Sequence, residues 1–178
     1  EAARGCDVAL LPLPHKVSGG ELLDEATPAE RVAGACNAVR RDASGRLQGD
    51  MFDGEGFVRG LCRKGVRLQG ARVLVVGCGG VGSAIAASLA GAGVGRIALF
   101  DVDRDTMEGL AQRLRTHYPA VQVTTGSNDP QGMDVAVNAT PLGMQAHDPL
   151  PLDPEQLDPA TLVADVIMKP ADTRLLQA

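Results

Sequence analysis

The sequence predicts an α/β fold in which a doubly wound parallel sheet is joined to part of a smaller α/β domain. Residues 72–77 form an almost wholly apolar run that ends in glycine, which is typical of a central parallel strand buried on both faces. A glycine-rich turn, residues 77–82, follows at once. Beyond it, strand-like apolar runs alternate with helical patterns, and this alternation favours a parallel sheet with helices on both faces.

The remaining elements of this sheet follow in chain order from their hydrophobic patterns. Small and apolar residues from Ser83 to Ala92 predict a helix that packs closely on the sheet and stops at Gly93. A second strand is expected at 96–101 and a helix at 103–115. Three further short strands are expected at 121–124, 134–138 and 162–167.

The segment before this sheet predicts a smaller unit with mixed elements. We expect a strand at 7–11 and a loop followed by a helix over 18–33. Residues 38–41 and Leu47 are expected to pair as a hairpin around a turn at 43–45, and residues 57–64 are expected to form a helix. The composition changes near 65–70, where glycines separate the two patterns. The predicted domains are therefore residues 1–66 and 67–178.

Composition excludes several classes of function. Of the 178 residues 44% are hydrophobic but only 2% aromatic, so the core must be aliphatic. The net charge of −5 and the absence of basic clusters argue against nucleic acid. Four widely spaced cysteines without a CxxC pair indicate neither a metal site nor a redox motif. No apolar run approaches the roughly 20 residues of a spanning helix, so we expect a cytoplasmic protein without membrane contact.

The glycine-rich turn has the pattern of a dinucleotide-binding loop. A GxGxxG pattern recurs by chance, but here it follows a buried strand, precedes a small-residue helix, and has Asp101 at the end of the next strand. This context predicts a Rossmann-type unit rather than a purely structural turn. The first glycine permits the tight turn, the second lets the pyrophosphate approach, and the third lets helix and strand pack closely. The expected cofactor-binding residues of the loop are Gly77, Gly79, Gly80, Val81 and Gly82.

Asp101 predicts NAD as the cofactor, with NADP less favoured. Its carboxylate can accept hydrogen bonds from the ribose hydroxyls, whereas a 2′-phosphate would meet its charge. Asp103 and Asp105 add negative charge nearby, and Arg104 is the one nearby cation that could receive a phosphate or lie over the adenine. We judge that three acids outweigh one arginine.

Four segments together resemble the shikimate and quinate dehydrogenase family. They are Pro14-His15-Lys16, residues 33–38 (AGACNA), residues 49–54 (GDMFDG) and residues 138–144 (NATPLGM). The resemblance implies that Lys16 and Asp53 are the catalytic pair and that Asn37 holds the substrate. It also places the last segment beside the nicotinamide, with Asn138, Thr140, Pro141 and Leu142 as cofactor-binding residues, and it makes residues 1–66 part of a substrate domain.

The chemistry of these residue types agrees with the resemblance. Oxidising a secondary alcohol requires a group that takes the hydroxyl proton as hydride leaves, and a lysine beside an aspartate can do this. Without the resemblance, a loop lysine such as Lys16 is more often a solvated surface residue. Asn37 would more often be a turn or cap residue.

Two departures from the family pattern leave the substrate open. Met51-Phe52 stands where the family has Asn-Thr, and Leu11-Pro12-Leu13-Pro14 stands where it reads Val-Thr-Val-Pro. Polar groups that would face the substrate are thereby lost. The family's N-terminal serines and its C-terminal helices have no counterpart in the sequence.

The sequence therefore predicts an NAD-dependent oxidoreductase that transfers hydride between nicotinamide and a cyclic hydroxy acid such as shikimate or quinate. A related two-domain dehydrogenase of folate or amino-acid type is one alternative. A dinucleotide-binding sensor or pseudoenzyme without turnover is the other. The expected partners are small-molecule substrates, and the oligomer we expect, if any, is a homodimer.

Overall fold

The computed structural model describes residues 8–11, 15–20 and 22–178, which form two sheets. The smaller sheet has the strand order β1-β3-β4-β2, in which β3 pairs antiparallel with β1 and β4, and β2 pairs parallel with β4. Its elements are β1 (Val8–Leu10), α1 (Lys16–Gly20), β2 (Glu25–Ala26), α2 (Pro28–Ala33), β3 (Ala38–Arg41) and β4 (Leu47–Asp50), followed by α3 (Asp53–Arg63).

The predicted hairpin is present, and its turn is held by one side chain. The Asp42 carboxylate accepts hydrogen bonds from the backbone amides of Ser44 and Arg46, at 2.8 and 3.0 Å. Gly45 adopts a positive φ of 87°, which favours glycine at that position. The region 18–33 differs from the expected loop and helix, because it contains α1, β2 and α2.

The larger sheet is wholly parallel and confirms the predicted fold class. Its strand order is β7-β6-β5-β8-β9, so the chain crosses from one side of β5 to the other between β7 and β8. Ligands of such sheets bind at the carboxyl ends of the strands around this switch point. The elements are β5 (Arg72–Val76), α4 (Gly80–Gly91), β6 (Arg96–Phe100), α5 (Arg104–His117), β7 (Gln122–Thr125), β8 (Val135–Asn138), β9 (Leu162–Asp165) and α6 (Arg174–Gln177).

The main hydrophobic core joins the two parts of the chain. Alternate residues of β5 pack with α4 and α5 on one face of the large sheet, and Val32 of α2 and Leu61 of α3 belong to the same cluster. At the start of α3, Gly54 lies so close to α4 that a Cβ there would be 2.0 Å from the Ala84 carbonyl oxygen. The boundary between residues 66 and 67 stays a prediction, but α3 packs on the larger unit.

In the part of the chain that the structure describes, no helix has both the length and the apolar character required to cross a bilayer.

Candidate active site

Three predicted residues from separate segments meet in one hydrogen-bonded cluster. Lys16 is the first residue of α1, Asp53 is the first residue of α3, and Asn37 directly precedes β3. The Lys16 Nζ donates to Asp53 Oδ2, forming an ion pair. The Asn37 Nδ2 donates to Asp53 Oδ1 at 2.6 Å. The side chains of Lys16 and Asp53 are 13% and 29% exposed, so the pair is shielded but open to a small molecule.

Backbone contacts fix this cluster from below. The backbone carbonyl of Lys16 accepts from the backbone amide of Cys36 at 2.8 Å. The backbone amide of Asn37 donates to the backbone carbonyl of Asp50 at 3.0 Å. The Asn37 Oδ1 also accepts from the Phe52 amide at 3.0 Å. Asn37 therefore serves as a turn residue that orients Asp53, while its second Nδ2 hydrogen remains available for a ligand.

The cluster lies beside the start of α4. A Cβ placed at Gly80 would be 3.8 Å from the Lys16 Cβ and 3.9 Å from the Ala35 Cβ. Lys16, on α1, thus lies next to the glycine loop, residues 77–82, and its ion pair with Asp53 is formed on the same side of the molecule.

The geometry of the glycine loop fits a dinucleotide pyrophosphate. Gly77 has a φ of 97° and lies against the backbone of Ala139, 2.8 Å from a hypothetical Cβ. Gly82 packs on the Gly77 carbonyl, 1.9 Å from such a Cβ, so any larger residue would separate α4 from β5. A Cβ at Gly79 would meet nothing within 4 Å. The first turn of α4 has no side-chain cap, which leaves amide groups for an anion.

A groove of about 560 Å³ runs along the carboxyl ends of β5, β6 and β8. Of the predicted residues it is lined by Gly77, Gly79, Gly80, Val81, Asp101, Thr140, Pro141 and Leu142. The predicted site residues did not include seven others that also line it: Val76, Ala139, Phe100, Val102, Asn128, Leu150 and Pro151. The last three lie in long loops, and no periodic sequence pattern indicates that these loops come back to the groove.

Three predicted cofactor-binding residues lie outside the groove lining. Gly82 acts by permitting close packing. Arg104 is exposed at the first position of α5. Asn138 was expected to bind the cofactor, but its side chain is fully buried and faces the backbone of residues 140–142. Its side-chain amide donates to the Leu142 carbonyl and accepts from the backbone amide and the hydroxyl of Thr140. It therefore supports the groove wall without lining the groove.

Asp101 holds the glycine loop as well as lining the groove. Its Oδ2 accepts from the Cys78 amide at 2.6 Å, and its Oδ1 accepts from the Asp103 amide at 2.9 Å. Each carboxylate oxygen retains a further acceptor site. Asp103 caps α5 by accepting from Thr106 and Asp105, and these hydrogen bonds lower the pKa of its carboxyl.

The Cys78 thiol within the loop is chemically quiet. Burial raises its pKa to about 12, the charge of Asp101 acts in the same direction, and the Arg113 guanidinium opposes them. The thiol is therefore protonated at neutral pH and is a poor nucleophile. Across residues 8–11, 15–20 and 22–178, no group of three or more His, Cys, Asp or Glu residues could hold a metal ion.

Of the two apolar replacements in segment 49–54, only one can face a substrate. Met51 is 2% exposed and packs with Ala33, Ala35 and Ala84, so the expectation that it faces the substrate is wrong. Phe52 is 50% exposed. The other departure, at Pro12–Pro14, lies outside the described residues.

Comparison with family models and curated proteins gives two findings. A model of the ThiF family matches residues 61–113, the stretch that contains β5, the glycine loop, α4 and β6. A curated protein, shikimate dehydrogenase (NADP(+)) from Rubrobacter xylanophilus, is 35% identical over 176 residues, which make up 97% of this chain and 61% of that protein.

Two solved structures extend the similarity to the fold. Quinate dehydrogenase from Corynebacterium glutamicum in complex with NAD has a TM-score of 0.86 and 32% identity, over 99% of this chain and 65% of that one. The ligand-free 5-ketofructose reductase of Gluconobacter sp. strain CHM43 has a TM-score of 0.85 and 32% identity, over 98% and 64%. The chain thus spans less than two thirds of the length of these relatives.

Proposed function

Because the chain belongs to the shikimate and quinate dehydrogenase family, we propose that the full-length protein is a dehydrogenase that transfers hydride between a nicotinamide dinucleotide and a cyclic hydroxy acid such as shikimate or quinate. The observation that carries this proposal is the Lys16–Asp53–Asn37 cluster in contact with the glycine loop. A proton-handling pair and a dinucleotide groove are the two parts that such a reaction requires.

The groove fits the dinucleotide on its own geometry. The open space at Gly79 and the uncapped start of α4 suit a pyrophosphate. Asp101, at the end of β6, suits the adenosine ribose, and Thr140 to Leu142, after β8, form the wall assigned to the nicotinamide end. When bound, the nicotinamide would supply or accept the hydride.

The residues of the chain would handle the proton. In the reductive direction the Lys16 ammonium donates a proton to the substrate oxygen, and in the oxidative direction the neutral amine takes it back. Asp53 orients Lys16 through the ion pair, and Asn37 orients Asp53. The remaining Nδ2 hydrogen of Asn37 is available to a substrate hydroxyl.

We assign NAD as the preferred cofactor, on the charge of Asp101. The similar curated proteins, among them those from Rubrobacter xylanophilus and Symbiobacterium thermophilum, are named for NADP(+), whereas the similar quinate dehydrogenase was solved with NAD. The assignment of NAD therefore departs from the names of the curated relatives and rests on Asp101 alone. Two unit charges about 4 Å apart at an effective dielectric near 20 interact by roughly 4 kcal/mol. Even half of this repulsion against a 2′-phosphate, about 2 kcal/mol, corresponds to a more than tenfold preference for NAD over NADP.

The cofactor assignment is tested by the ratio of kcat/KM for NAD to that for NADP. We expect wild type to favour NAD and Asp101→Asn, which keeps an acceptor for the Cys78 amide, to lower the ratio at least roughly tenfold. Asp105→Asn removes the same charge outside the groove lining and should leave the ratio nearly unchanged. Equal use of both cofactors by wild type would refute the role of Asp101.

The reaction itself is tested by a substrate screen with the full-length protein. Shikimate, quinate and their keto counterparts are offered with NAD and NADP, and absorbance at the nicotinamide band is followed. 5-Ketofructose belongs in the screen because a reductase of that compound shares the fold. We expect turnover with a cyclic hydroxy acid. Binding of dinucleotide without any turnover would instead favour a sensor or pseudoenzyme.

A further inference from the structure

The segment 138–144, here called the Asn138 loop, is held on the side away from the groove by a chain of hydrogen-bonded side chains, of which Asn138 and Thr173 are buried and Asp165 is partly buried. Asn138 is 0% exposed. Its Oδ1 accepts from the amide and the hydroxyl of Thr140, at 3.0 and 2.6 Å, and its Nδ2 donates to the Leu142 carbonyl at 2.9 Å. The shape of the loop therefore depends on where the Asn138 amide is placed.

Asp165, at the end of β9, positions the side-chain amide of Asn138 and extends the run of hydrogen bonds to α6. Its Oδ1 accepts from Asn138 Nδ2 at 3.1 Å and from the Ile167 amide at 3.0 Å. Its Oδ2 accepts from the Thr173 hydroxyl at 2.8 Å. Thr173 is 1% exposed and is the N-cap of α6. Hydrogen bonds thus run without interruption from Thr140 through Asn138 and Asp165 to Thr173.

A second set of contacts joins α6 to the far end of the loop. A Cβ at Gly143 would be 3.6 Å from the Thr173 Cβ, so the loop packs directly on this side chain. The Arg174 guanidinium donates to the Asp148 carbonyl at 2.9 Å, and the Asp148 carboxylate accepts from the amides of Gly143 and Gln145, each at 3.0 Å. The loop is therefore anchored to α6 at two points.

The front of the loop forms the groove. Ala139 lies against Gly77, and a Cβ at Gly77 would be 2.9 Å from the Thr140 Cγ2. The Thr140 hydroxyl donates to Asn138 and accepts from the Leu142 amide. A displacement of Asn138 would consequently move the wall formed by Thr140, Pro141 and Leu142.

We propose that Asp165 and Thr173 are positioning residues for the nicotinamide end of the groove. They touch neither the groove nor the Lys16–Asp53 pair, and they act by setting the Asn138 loop against the glycine loop and tying it to α6. A polar chain with two buried members, Asn138 and Thr173, holds a single geometry because the hydrogen-bonding groups of its side chains are satisfied. The proposal rests on the proposed function, since that function assigns this wall to the nicotinamide.

The test compares two ligands of the full-length protein, NADH and ADP-ribose, which lacks the nicotinamide. Thr173→Val removes the hydroxyl at constant shape, and Asp165→Asn removes one acceptor of the chain. We expect each to weaken NADH binding by roughly 10-fold, equal to about 1.4 kcal/mol, because the displaced wall would contact the nicotinamide less closely, and to leave the Kd of ADP-ribose unchanged. Fluorescence titration measures the first and calorimetry the second.

Two further variants separate positioning from general stability. Thr161→Val removes a hydroxyl that donates to the Met133 carbonyl at 2.6 Å, before the start of β9 and away from the groove. It should lower the melting temperature without changing either Kd. Thr173→Ser keeps the hydroxyl and should bind NADH like wild type. The double variant Asp165→Asn with Thr173→Val should bind NADH no more weakly than the weaker-binding single variant, because both substitutions interrupt the same chain of hydrogen bonds.

The outcomes distinguish this inference from the proposed function. An unchanged ratio of NADH to ADP-ribose affinity in folded Thr173→Val and Asp165→Asn would overturn the inference. If Thr173→Val does not fold, the ratio in Asp165→Asn alone decides it. A shifted ratio in a protein that turns over none of the screened acids would support the inference while refuting the dehydrogenase function.

Discussion

Met51 and Phe52 are adjacent in sequence but lie in different surroundings. Met51 is enclosed by alanines of the smaller unit and of α4, whereas half of the Phe52 side chain is exposed one residue before Asp53. The family resemblance treats both as replacements of substrate-facing polar residues. Burial separates them, because a side chain at 2% exposure contacts protein and not substrate.

This difference predicts opposite effects for two substitutions. Phe52→Thr should change the ranking of shikimate and quinate by kcat/KM, through a hydrogen bond worth about 0.5–1.5 kcal/mol, while leaving stability nearly unchanged. Met51→Asn should leave the ranking unchanged and lower the free energy of unfolding by about 1–3 kcal/mol, because it buries an unpaired amide. A changed ranking in Met51→Asn alone would show that the site reaches further inward.

The thiol of Cys78 predicts a dependence of stability on alkaline pH. Its pKa is raised to about 12 in the folded protein, whereas an unfolded cysteine titrates near pH 8.5. Stability from this group is therefore complete below about pH 8.5 and is lost as the pH rises towards 12. Urea unfolding at several alkaline pH values should show a fall in wild type that is steeper than in Cys78→Ala, by up to about 1.4 kcal/mol per pH unit. Parallel falls in both proteins would place the thiol in contact with water.

The crossing of α3 and α4 brings the Lys16–Asp53 pair, which we propose handles the proton, beside the glycine loop. Asp53 begins α3 and Gly80 begins α4. The two helices approach closely because Gly54 has no side chain. The distance between the Lys16–Asp53 pair and the groove is therefore set by the packing of these two helices.

Two glycines of α3 make a matched pair for testing this crossing. Gly54→Ala places a methyl group 2.0 Å from the Ala84 carbonyl oxygen and should cost about 1–3 kcal/mol through overpacking. Gly56→Ala on the same helix meets nothing within 4 Å and should stabilise the protein by about 0.5–1 kcal/mol. Thermal unfolding measures both. A stable Gly54→Ala would mean that the two helices can separate at little cost.

The elements that sequence reasoning predicted best are those with continuous hydrophobic signals. Strands β5, β6, β8 and β9 were expected within a few residues of their observed bounds, because buried parallel strands read as apolar runs. The start of α3 was expected four residues too late, since Asp53 to Gly56 carry no apolar periodicity. Strand β2 has only two residues and is defined by pairing with β4, which no local pattern encodes.

On the scale of the whole molecule, the candidate site arises from the meeting of two sheets. The family motifs identified Lys16, Asn37 and Asp53 individually, and the glycine loop was expected from its context. Their contact depends on the packing of α2 and α3 on α4, which sequence spacing does not reveal. The buried role of Asn138 was likewise hidden, because its partner Asp165, which in turn accepts from Thr173, is distant in sequence. The expected homodimer and cytoplasmic location stay predictions.

The proposed role of the Lys16–Asp53 pair predicts the turnover of Lys16→Ala in the full-length protein. Loss of the proton-handling group should lower kcat by roughly 10²–10⁴-fold and leave the Kd of NADH nearly unchanged, because Lys16 is not among the residues lining the dinucleotide groove. Lys64→Ala, at an exposed lysine just after α3, is the matched control and should behave as wild type. Turnover of Lys16→Ala close to that of Lys64→Ala would contradict the assignment of the Lys16–Asp53 pair to the reaction.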